Sequence, residues 1–301
     1  MGATATGKTE LAIAIAERFP VEVISVDSAL IFTGMDIGTA KPEPELLSAV
    51  PHHLIDIVDP VEAWSVWDFL EQCNRLITEI RARDRIPLLA GGTMMYFNAF
   101  EHGLNRLPAA DATLRERLNA ELQSQGPEAL HRRLADIDPE SAVRIRPTDP
   151  QRIQRALEVY ELSGMTLSEL QRRKTSGYEG GIEKILLEAD DRPLLHQRIA
   201  KRFEQMLEQG FIGEVEQLRQ RGDLNLSLPS MRCVGYRQVW RYLDGDYERD
   251  EMIEKAVAAT RQLAKRQITW LRKQSDASRY DCLNYRKDAI FRQIEGAIRA
   301  P

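Results

Sequence analysis

The segment GATATGKT, residues 2–9, matches the phosphate-loop pattern G-x-x-x-x-G-K-T. A loop of this kind wraps a phosphate with backbone N–H groups and lies before a helix N-terminus, where the helix dipole favours negative charge. Lys8 adds a positive charge, and the hydroxyl of Thr9 suits a magnesium ion. Residues 10–19 have apolar side chains at helical spacing, so the sequence predicts a phosphate-binding loop and a helix that ends at Pro20.

A phosphate loop normally follows a buried strand, but here it starts at the second residue. We therefore expect the first strand to lie upstream of this sequence, and a chain extended by about one strand length to be more stable. The alternatives to a phosphate loop are a chance match and the N-myristoylation pattern M-G-x-x-x-[ST]. A lipid signal accounts for neither Thr9 nor the following helix, and no polybasic second anchor follows.

Composition sets broad limits on the function. The chain has 301 residues, of which 43% are hydrophobic and 29% charged, enough for one large domain or two modest ones. The net charge of −5 argues against a generally basic nucleic-acid coat but leaves a local basic groove open. The three cysteines are far apart, with no disulfide or zinc spacing, and neither a membrane span nor a signal peptide is evident. We expect a cytoplasmic, monomeric protein.

The segments after the loop alternate between strand and helix. VEVISV (residues 21–26) reads as a buried parallel strand, LIDIV (54–58) as a short strand, 65–83 as an amphipathic helix and IPLLAGG (86–92) as another strand. This alternation predicts a doubly wound α/β fold with a parallel sheet.

Asp27 stands at the C-terminal tip of the first of these strands, where ligands of open α/β sheets bind. A role in a turn or helix cap is the alternative. The later strand ends in Gly91-Gly92-Thr93 where many ATPases carry an Asp for magnesium, so Asp27 is the one strand-tip carboxylate that the sequence offers. The pair His52-His53 lacks further ligands at helical spacing, which disfavours a metal site there.

The second half of the chain is mostly helical. Residues 112–181 read as consecutive helices separated by Pro and Gly, which predicts a helical insertion domain within a core formed by residues 1–111 and 182–301. Residues 182–190 read as a returning strand, and 194–221 and 249–273 as long helices. The last helix carries five Lys and Arg and no acid over sixteen residues, typical of a solvated cationic face or of a surface for a polyanion.

Several stretches together resemble one enzyme family. They are GATATGKT, SVDSALIFTGMDIGTAKP, IPLLAGGTMMYFNAF, DPQRIQRALE, LPSMRCVGYRQ and TRQLAKRQITWLR. The resemblance is to the tRNA dimethylallyltransferases, the isopentenyl-tRNA transferases of bacteria, and it runs from residue 2 to about residue 272. It implies a P-loop NTPase-like parallel sheet core with a mostly helical insertion domain that contacts tRNA.

The resemblance also implies an activity. Members of the family transfer a five-carbon prenyl group from dimethylallyl diphosphate to N6 of adenosine 37 in tRNAs that read codons beginning with U, and their cofactor is Mg²⁺. The phosphate loop would then hold a diphosphate leaving group rather than the ATP that its motif alone suggests. The partners would be dimethylallyl diphosphate and the tRNA anticodon stem-loop, with no membrane.

The same resemblance implies roles for individual residues. Asp27 would be the general base, Thr93 would lie near the reacting groups, and Thr9 would bind Mg²⁺. The residues implied for the diphosphate are Gly2, Thr4, Ala5, Thr6, Gly7, Lys8, Thr9, Arg198 and its neighbour Arg202. The residues implied for tRNA are Asp27, Ser28, Ala29, Leu30, Thr93, Arg115, Gln151, Arg152, Ile153, Gln154, Arg155, Arg232, Cys233, Val234, Gly235, Tyr236, Arg237, Lys265, Arg266, Gln267, Ile268, Thr269, Trp270, Leu271 and Arg272.

The sequence departs from the family at three positions and leaves two further functions open. Ala3 stands where the family usually has Pro, Thr6 where it has Ser, and His53 where it commonly has Arg. A small-molecule P-loop kinase would use the same loop with a lid-like insertion. A nucleotide-switched binding module would hydrolyse nucleoside triphosphates slowly. The basic last helix and Asp27 favour the prenyltransferase.

Overall fold

The computed structural model describes residues 1–105, 107–173 and 176–299, which form two compact units. Unit 1 comprises Met1–Phe97 and Gly180–Pro301, and unit 2 comprises Asn98–Glu179. The strands are β1 (Val21–Val26), β2 (His52–His53), β3 (Ile86–Gly91), β4 (Ile185–Glu188) and β5 (Ser278–Asp281). In chain order the helices are α1 (Lys8–Ala16), α2 (Pro44–Ala49), α3 (Val66–Ala82), α4 (Met94–His102), α5 (Ala112–Gln125), α6 (Pro127–Ile137), α7 (Pro139–Arg144), α8 (Pro150–Ser163), α9 (Leu167–Arg172), α10 (Arg192–Glu208), α11 (Phe211–Gln220), α12 (Tyr236–Leu243), α13 (Arg249–Leu271) and α14 (Lys287–Arg299).

Three parallel strands of unit 1 form a sheet in the order β2-β1-β3. Every residue of the central strand β1 is buried, which explains its continuous apolar run, since a strand covered on both faces has no polar side. Val26 pairs with Gly91, so the residues that follow β1 and β3 leave the sheet at the same edge. The predicted strands over residues 21–26 and 86–92 are confirmed, and with them the α/β fold.

The predicted strand over residues 54–58 is wrong. Leu54 and Asp56 have φ angles of 61° and 54°, a left-handed conformation that cannot continue an extended strand. The strand that pairs with β1 is instead His52–His53, and Val58 makes one isolated parallel bridge with Phe32.

A second, two-stranded sheet holds the beginning of the phosphate loop. In it β4 pairs in parallel with β5. Gly2 forms a parallel bridge with Leu187, whose N–H donates to the carbonyl of Met1 at 2.8 Å. The predicted strand within residues 182–190 is confirmed as β4, Ile185–Glu188, whereas β5 and α14 were not predicted.

The helix predictions are confirmed with changes at the ends. Helix α3 begins after a cap at Ser65, whose hydroxyl accepts from the Asp68 N–H while the Asp68 carboxylate accepts from the Ser65 N–H at 2.8 Å. Helix α1 ends at Ala16, before the expected Pro20. The single helix expected over residues 194–221 is two helices, because Gly210 adopts a φ of 98° between α10 and α11.

Unit 2 contains the helices predicted for the insertion. Its core includes Leu118, Leu130, Leu134 and Leu157 from α5, α6 and α8, all almost completely buried. No helix in the described part of the chain combines the length and the apolar character that a membrane span needs.

Candidate active site

The phosphate loop folds back on itself directly before α1. Gly7, with a φ of 78°, is the N-cap of α1, and Ala5 is also left-handed with a φ of 62°. The carbonyl of Ala3 accepts from the Thr6 hydroxyl at 2.8 Å and from the Lys8 ammonium at 2.5 Å. Left-handed residues next to a helix N-terminus form a concave set of backbone N–H groups, which suits an oxyanion.

A cavity of about 640 Å³ opens beside this loop within unit 1. The loop, the tips of β1 and β3, and the helices α10 and α13 all contribute to its wall. Its polar and charged lining residues include Thr4, Lys8, Thr9, Ser25, Asp27, Ser28, His52, Thr93, Arg202, Arg232, Arg266 and Gln267. The structure therefore brings together most of the residues that the sequence indicated for chemistry.

Two cations and one carboxylate interact inside the cavity. The pKa of Lys8 is lowered to about 8, chiefly by burial, with a smaller upward contribution from Asp27 and a smaller downward one from Arg202. Burial likewise lowers the pKa of Arg202, and Asp27 opposes that shift. The three groups therefore lie within electrostatic range of one another, and their sum is positive while Lys8 keeps its proton. Such a site attracts a polyanion.

Asp27 is held by one of its two carboxylate oxygens. Its Oδ1 accepts from the backbone N–H groups of Ala29 at 2.9 Å and Leu30 at 3.4 Å. Within the described parts of the chain, nothing donates a hydrogen bond to Oδ2. The carboxylate is thus oriented by the turn after β1 while one oxygen keeps its lone pairs available for a proton.

Thr93 joins the tips of two neighbouring strands. Its N–H donates to the carbonyl of Val26 at 3.1 Å, and its hydroxyl accepts from the N–H of Ser28 at 3.1 Å. The same hydroxyl lies 3.3 Å from the Ser28 hydroxyl. Thr93 therefore fixes the position of the turn that carries Asp27.

Of the two arginines proposed for the diphosphate, Arg202 lines the cavity and Arg198 does not. The Nη1 of Arg198 lies 3.8 Å from the Cys282 sulfur, outside the cavity wall. The sequence interpretation put Arg198 first and Arg202 as its neighbour, and the two lie four residues apart on one face of α10. The placement favours Arg202.

The unit 1 segments expected to contact RNA divide into three groups. The first group lines the cavity and consists of Ser28, Ala29, Leu30, Arg232, Cys233, Val234, Gly235, Arg266, Gln267 and Trp270. Arg237, Lys265, Thr269 and Arg272 are exposed, and Ile268 is half-buried. Tyr236 and Leu271 are buried in the protein, so their side chains offer no surface to an RNA and serve in packing instead.

The cavity side chain Cys233 is not an activated thiol. Burial, together with the nearby charge of Asp27, raises its pKa to about 12. A thiol that keeps its proton is a poor nucleophile, so chemistry through Cys233 is not supported.

In unit 2, two of the arginines expected to contact RNA, Arg115 and Arg155, form ion pairs with one buried carboxylate. Glu158 is completely buried and binds Arg115 at 2.9 Å and Arg155 at 2.6 Å. Burial raises the pKa of Glu158, but the hydrogen bonds from these arginines outweigh it and the net shift is downward. Arg115 and Arg155 therefore neutralise a buried charge, whatever else they contact.

The remaining proposed contacts of unit 2 differ in exposure. Gln151 is exposed, and the side chain of Arg152 is 72% exposed. The Gln154 amide donates to the carbonyl of Arg115 at 3.1 Å. Ile153 is completely buried in the core of the unit, so the expectation that its side chain contacts RNA is not supported.

One positioning residue has no counterpart among the sequence predictions. The carboxylate of Glu214 on α11 accepts from the N–H groups of Asp36 (2.9 Å), Ile37 (2.7 Å) and Gly38 (3.1 Å), and from the Tyr236 hydroxyl at 2.5 Å. It anchors a loop that contributes to the cavity wall. An isolated Glu on a helix gives no signal in the sequence, because its partners are far away along the chain.

The cavity also contains polar atoms without partners. The hydroxyl of Ser25 and the indole N–H of Trp64 are buried and make no hydrogen bond within the described residues. Both residues line the cavity. A buried polar group without a partner is costly, so these atoms fit a site that is completed by a ligand or ordered water.

The fold and the site together define a class of protein. A parallel sheet, a phosphate loop at its edge, and a strand-tip carboxylate in one cationic cavity are the features of a P-loop NTPase-like protein that acts on a phosphorylated substrate.

Comparison with known proteins narrows this class to a family. The family model described as IPP transferase matches residues 30–274. A tRNA dimethylallyltransferase of Alkalilimnicola ehrlichii is 61% identical over 274 residues, which cover 91% of this chain and 86% of that protein. A tRNA dimethylallyltransferase of Cupriavidus necator is 53% identical and covers 94% of this chain and 90% of its own. The chain belongs to the IPP transferase family, and it is therefore an enzyme of the prenyltransferase class.

Solved structures agree with this family. The full-length tRNA isopentenylpyrophosphate transferase of Bacillus halodurans is 40% identical with a TM-score of 0.71, and the match covers 99% of this chain and 93% of that one. A eukaryotic dimethylallyltransferase, described as acting on tRNA, is 26% identical with a TM-score of 0.83, covering 100% of this chain and 79% of that one.

Proposed function

We propose that the protein transfers the dimethylallyl group of dimethylallyl diphosphate to N6 of adenosine 37 in tRNAs that read codons beginning with U. The products are N6-dimethylallyladenosine and diphosphate. The observation that carries the proposal is the single cavity that joins the phosphate loop, the carboxylate of Asp27 and the basic helix α13. A diphosphate, a proton acceptor and an RNA-facing surface are the three things that this reaction needs.

The chemical step assigns a proton to Asp27. The N6 amine attacks C1 of the dimethylallyl group, so that an N–C bond forms while the C–O bond to the diphosphate breaks and its electron pair leaves with the diphosphate. The attacking nitrogen must lose a proton. The carboxylate of Asp27, held through Oδ1, accepts that proton at its second oxygen.

The leaving diphosphate meets fixed positive charge. Lys8 and Arg202 line the cavity beside the loop, and both are half-buried. Charges and N–H dipoles that are positioned before the reaction stabilise a developing anion more than free water does. This set would also include the loop residues Thr4 to Thr9.

The donor atoms at the loop fit a magnesium ion that the substrate helps to bind. The hydroxyls of Thr9 and Ser25 line one cavity, and that of Ser25 is buried without a partner within the described residues. Those residues contain no cluster of three or more His, Cys, Asp or Glu suited to a metal. Mg²⁺ commonly takes few protein ligands and completes its shell with water and phosphate oxygens. When bound, it would neutralise charge on the diphosphate, and Thr9 would hold it.

The RNA would bind along the exposed cations of α13 and at unit 2. Lys265, Arg266 and Arg272 are exposed on one helix whose Arg266 and Trp270 also line the cavity. An adenine must leave the stacked loop to reach the half-buried carboxylate of Asp27 in the cavity, and an aromatic ring such as Trp270 can stack on it. We also propose that the enzyme is cytoplasmic and monomeric.

A transfer assay tests the function directly. The protein is mixed with Mg²⁺, radiolabelled dimethylallyl diphosphate and an unmodified anticodon stem-loop with adenosines at positions 36–38, and a matched RNA carries guanosine at position 37. We expect label in the first RNA only. Label in neither RNA, together with phosphorylation of a small metabolite from ATP, would replace the proposal by the kinase alternative.

A further inference from the structure

Gln267 on α13 connects the phosphate loop to the neighbouring strand tip. Its side-chain carbonyl Oε1 accepts from the backbone N–H of Thr4 at 2.9 Å, and its Nε2 donates to the carbonyl of Gly92 at 2.8 Å. These partners fix the orientation of the amide, because a flipped group would set donor against donor and acceptor against acceptor. Thr4 and Gly92 belong to segments that are far apart in sequence.

The space around Gln267 fits the two hydrogen bonds of its side chain. The residue is only 9% exposed, although its neighbour Arg266 is exposed. A Cβ added at Gly92 would lie 2.6 Å from Nε2 of Gln267 and 3.3 Å from the carbonyl oxygen of Gly2. The absence of a side chain at Gly92 thus gives the amide access to the backbone between the loop and β3.

We propose that Gln267 is a positioning residue of the diphosphate cradle and not one of the RNA contacts. The inference rests on the proposed function, since it assumes that the loop binds a diphosphate. By accepting from Thr4, the amide fixes the first turn of the loop. The N–H groups that follow are then held ready for the phosphate oxygens.

The geometry separates this role from RNA binding. Lys265 and Arg266 present charge to the solvent, whereas both polar atoms of the Gln267 amide already have backbone partners inside the protein. The amide keeps one N–H and one carbonyl lone pair beyond these two bonds, but the residue is only 9% exposed, which leaves an RNA little access to them. Removing the amide should therefore loosen the loop and leave the phosphate-binding surface of α13 unchanged.

Gln267→Met tests the proposal, because Met keeps the length of the side chain and removes both hydrogen bonds. We expect the dissociation constant for inorganic pyrophosphate with Mg²⁺, measured by calorimetry, and the KM for dimethylallyl diphosphate each to rise about 10-fold, the effect of losing one to two hydrogen bonds. The kcat should change less, by roughly 3-fold at most. The affinity for the stem-loop, measured by fluorescence anisotropy, should stay within about 2-fold. Gln262→Met, an exposed change on the same helix, is the control.

Two outcomes would overturn the inference. Weaker stem-loop binding with unchanged pyrophosphate binding would make Gln267 an RNA contact, and no change in either would remove it from the site. Gly92→Ala, which pushes against Nε2 from the other side, should repeat the pyrophosphate defect, and it provides the test if Gln267→Met does not fold. If the unaltered protein binds pyrophosphate but transfers no label to RNA, the proposed function fails, and the pyrophosphate comparison still decides the role of Gln267.

Discussion

At the scale of single residues, Asp27 carries the proposed proton transfer. Asp27→Asn keeps the shape of the side chain and the acceptor for the N–H groups of Ala29 and Leu30, but it cannot accept a proton. We expect turnover in the transfer assay to fall by about two to four orders of magnitude, while the dissociation constant for the stem-loop changes by less than about 3-fold.

The control for this substitution is Asp84→Asn. Asp84 is exposed and left-handed, with a φ of 56°, and it precedes β3 at the end of the strand opposite to the cavity. Asn tolerates that conformation well. Turnover of Asp27→Asn within a few-fold of the control would show that another group takes the proton.

A second prediction for a single residue concerns Lys8, whose pKa is lowered to about 8, chiefly by burial. In the free enzyme Lys8 is charged below this pH and loses its charge as the pH rises through it. Pyrophosphate should therefore bind more weakly from about pH 7 to about pH 9.5, with a midpoint moved somewhat upward since a bound anion favours the protonated lysine.

Calorimetry on the unaltered protein and on Lys8→Met, side by side, isolates this effect. The protonation of pyrophosphate itself is common to both, so the ratio of the two affinities reports on Lys8 alone. We expect the ratio to fall toward one at high pH. A ratio that stays constant over the range would contradict a lysine that titrates near pH 8.

At the scale of secondary-structure elements, Glu214 holds the loop of residues 36–38 against α11. Both of its oxygens accept hydrogen bonds from the loop, so Glu214→Gln would place an NH₂ group opposite an N–H donor. We expect a loss of about 1–3 kcal/mol in the free energy of unfolding, measured by urea denaturation. The amide hydrogens of residues 36–38 should also exchange faster.

Glu216→Gln is the matched control, since Glu216 is exposed on the same helix. It should leave both the free energy of unfolding and the exchange rates unchanged. Equal behaviour of the two variants would mean that the loop keeps its position without Glu214.

The same scale shows how far the sequence predicts the elements. Strands β1 and β3 were predicted correctly because a strand covered on both faces is apolar throughout. Residues 54–58 have the composition of a strand, but left-handed backbone at Leu54 and Asp56 breaks the extended chain, and composition does not reveal φ. Strand β5 was not predicted because its four residues, SRYD, are mostly polar and form a strand only by pairing with β4.

For the whole molecule, the sequence indicated the groups proposed for chemistry better than the residues that position them. Asp27 and Lys8 lie in local motifs, so their neighbourhood in sequence is enough to find them. The partners of Gln267 and Glu214 are set by the fold, and no short segment contains them. Burial likewise depends on the whole fold. Ile153 and Tyr236 therefore fall within segments expected to contact RNA, although their side chains lie in the interior.

The last prediction concerns RNA binding by both compact units. Lys265 on α13 belongs to unit 1 and Arg152 on α8 to unit 2, and both are exposed. If each contacts a phosphate, Lys265→Ala and Arg152→Ala should each weaken stem-loop binding and lower the slope of log Kd against log salt by roughly 0.7–0.9. In the double variant the two losses should add if each substitution removes a separate phosphate contact.

Arg75→Ala provides the control for a general loss of charge, because Arg75 is an exposed cation on α3 that pairs with Glu79. It should leave the salt slope unchanged. An unchanged slope for Arg152→Ala alone would confine RNA binding to unit 1, and for Lys265→Ala alone it would remove α13 from the phosphate contacts. Because the slope counts released counterions, it separates a lost phosphate contact from a lost fold, which weakens binding at every salt concentration alike.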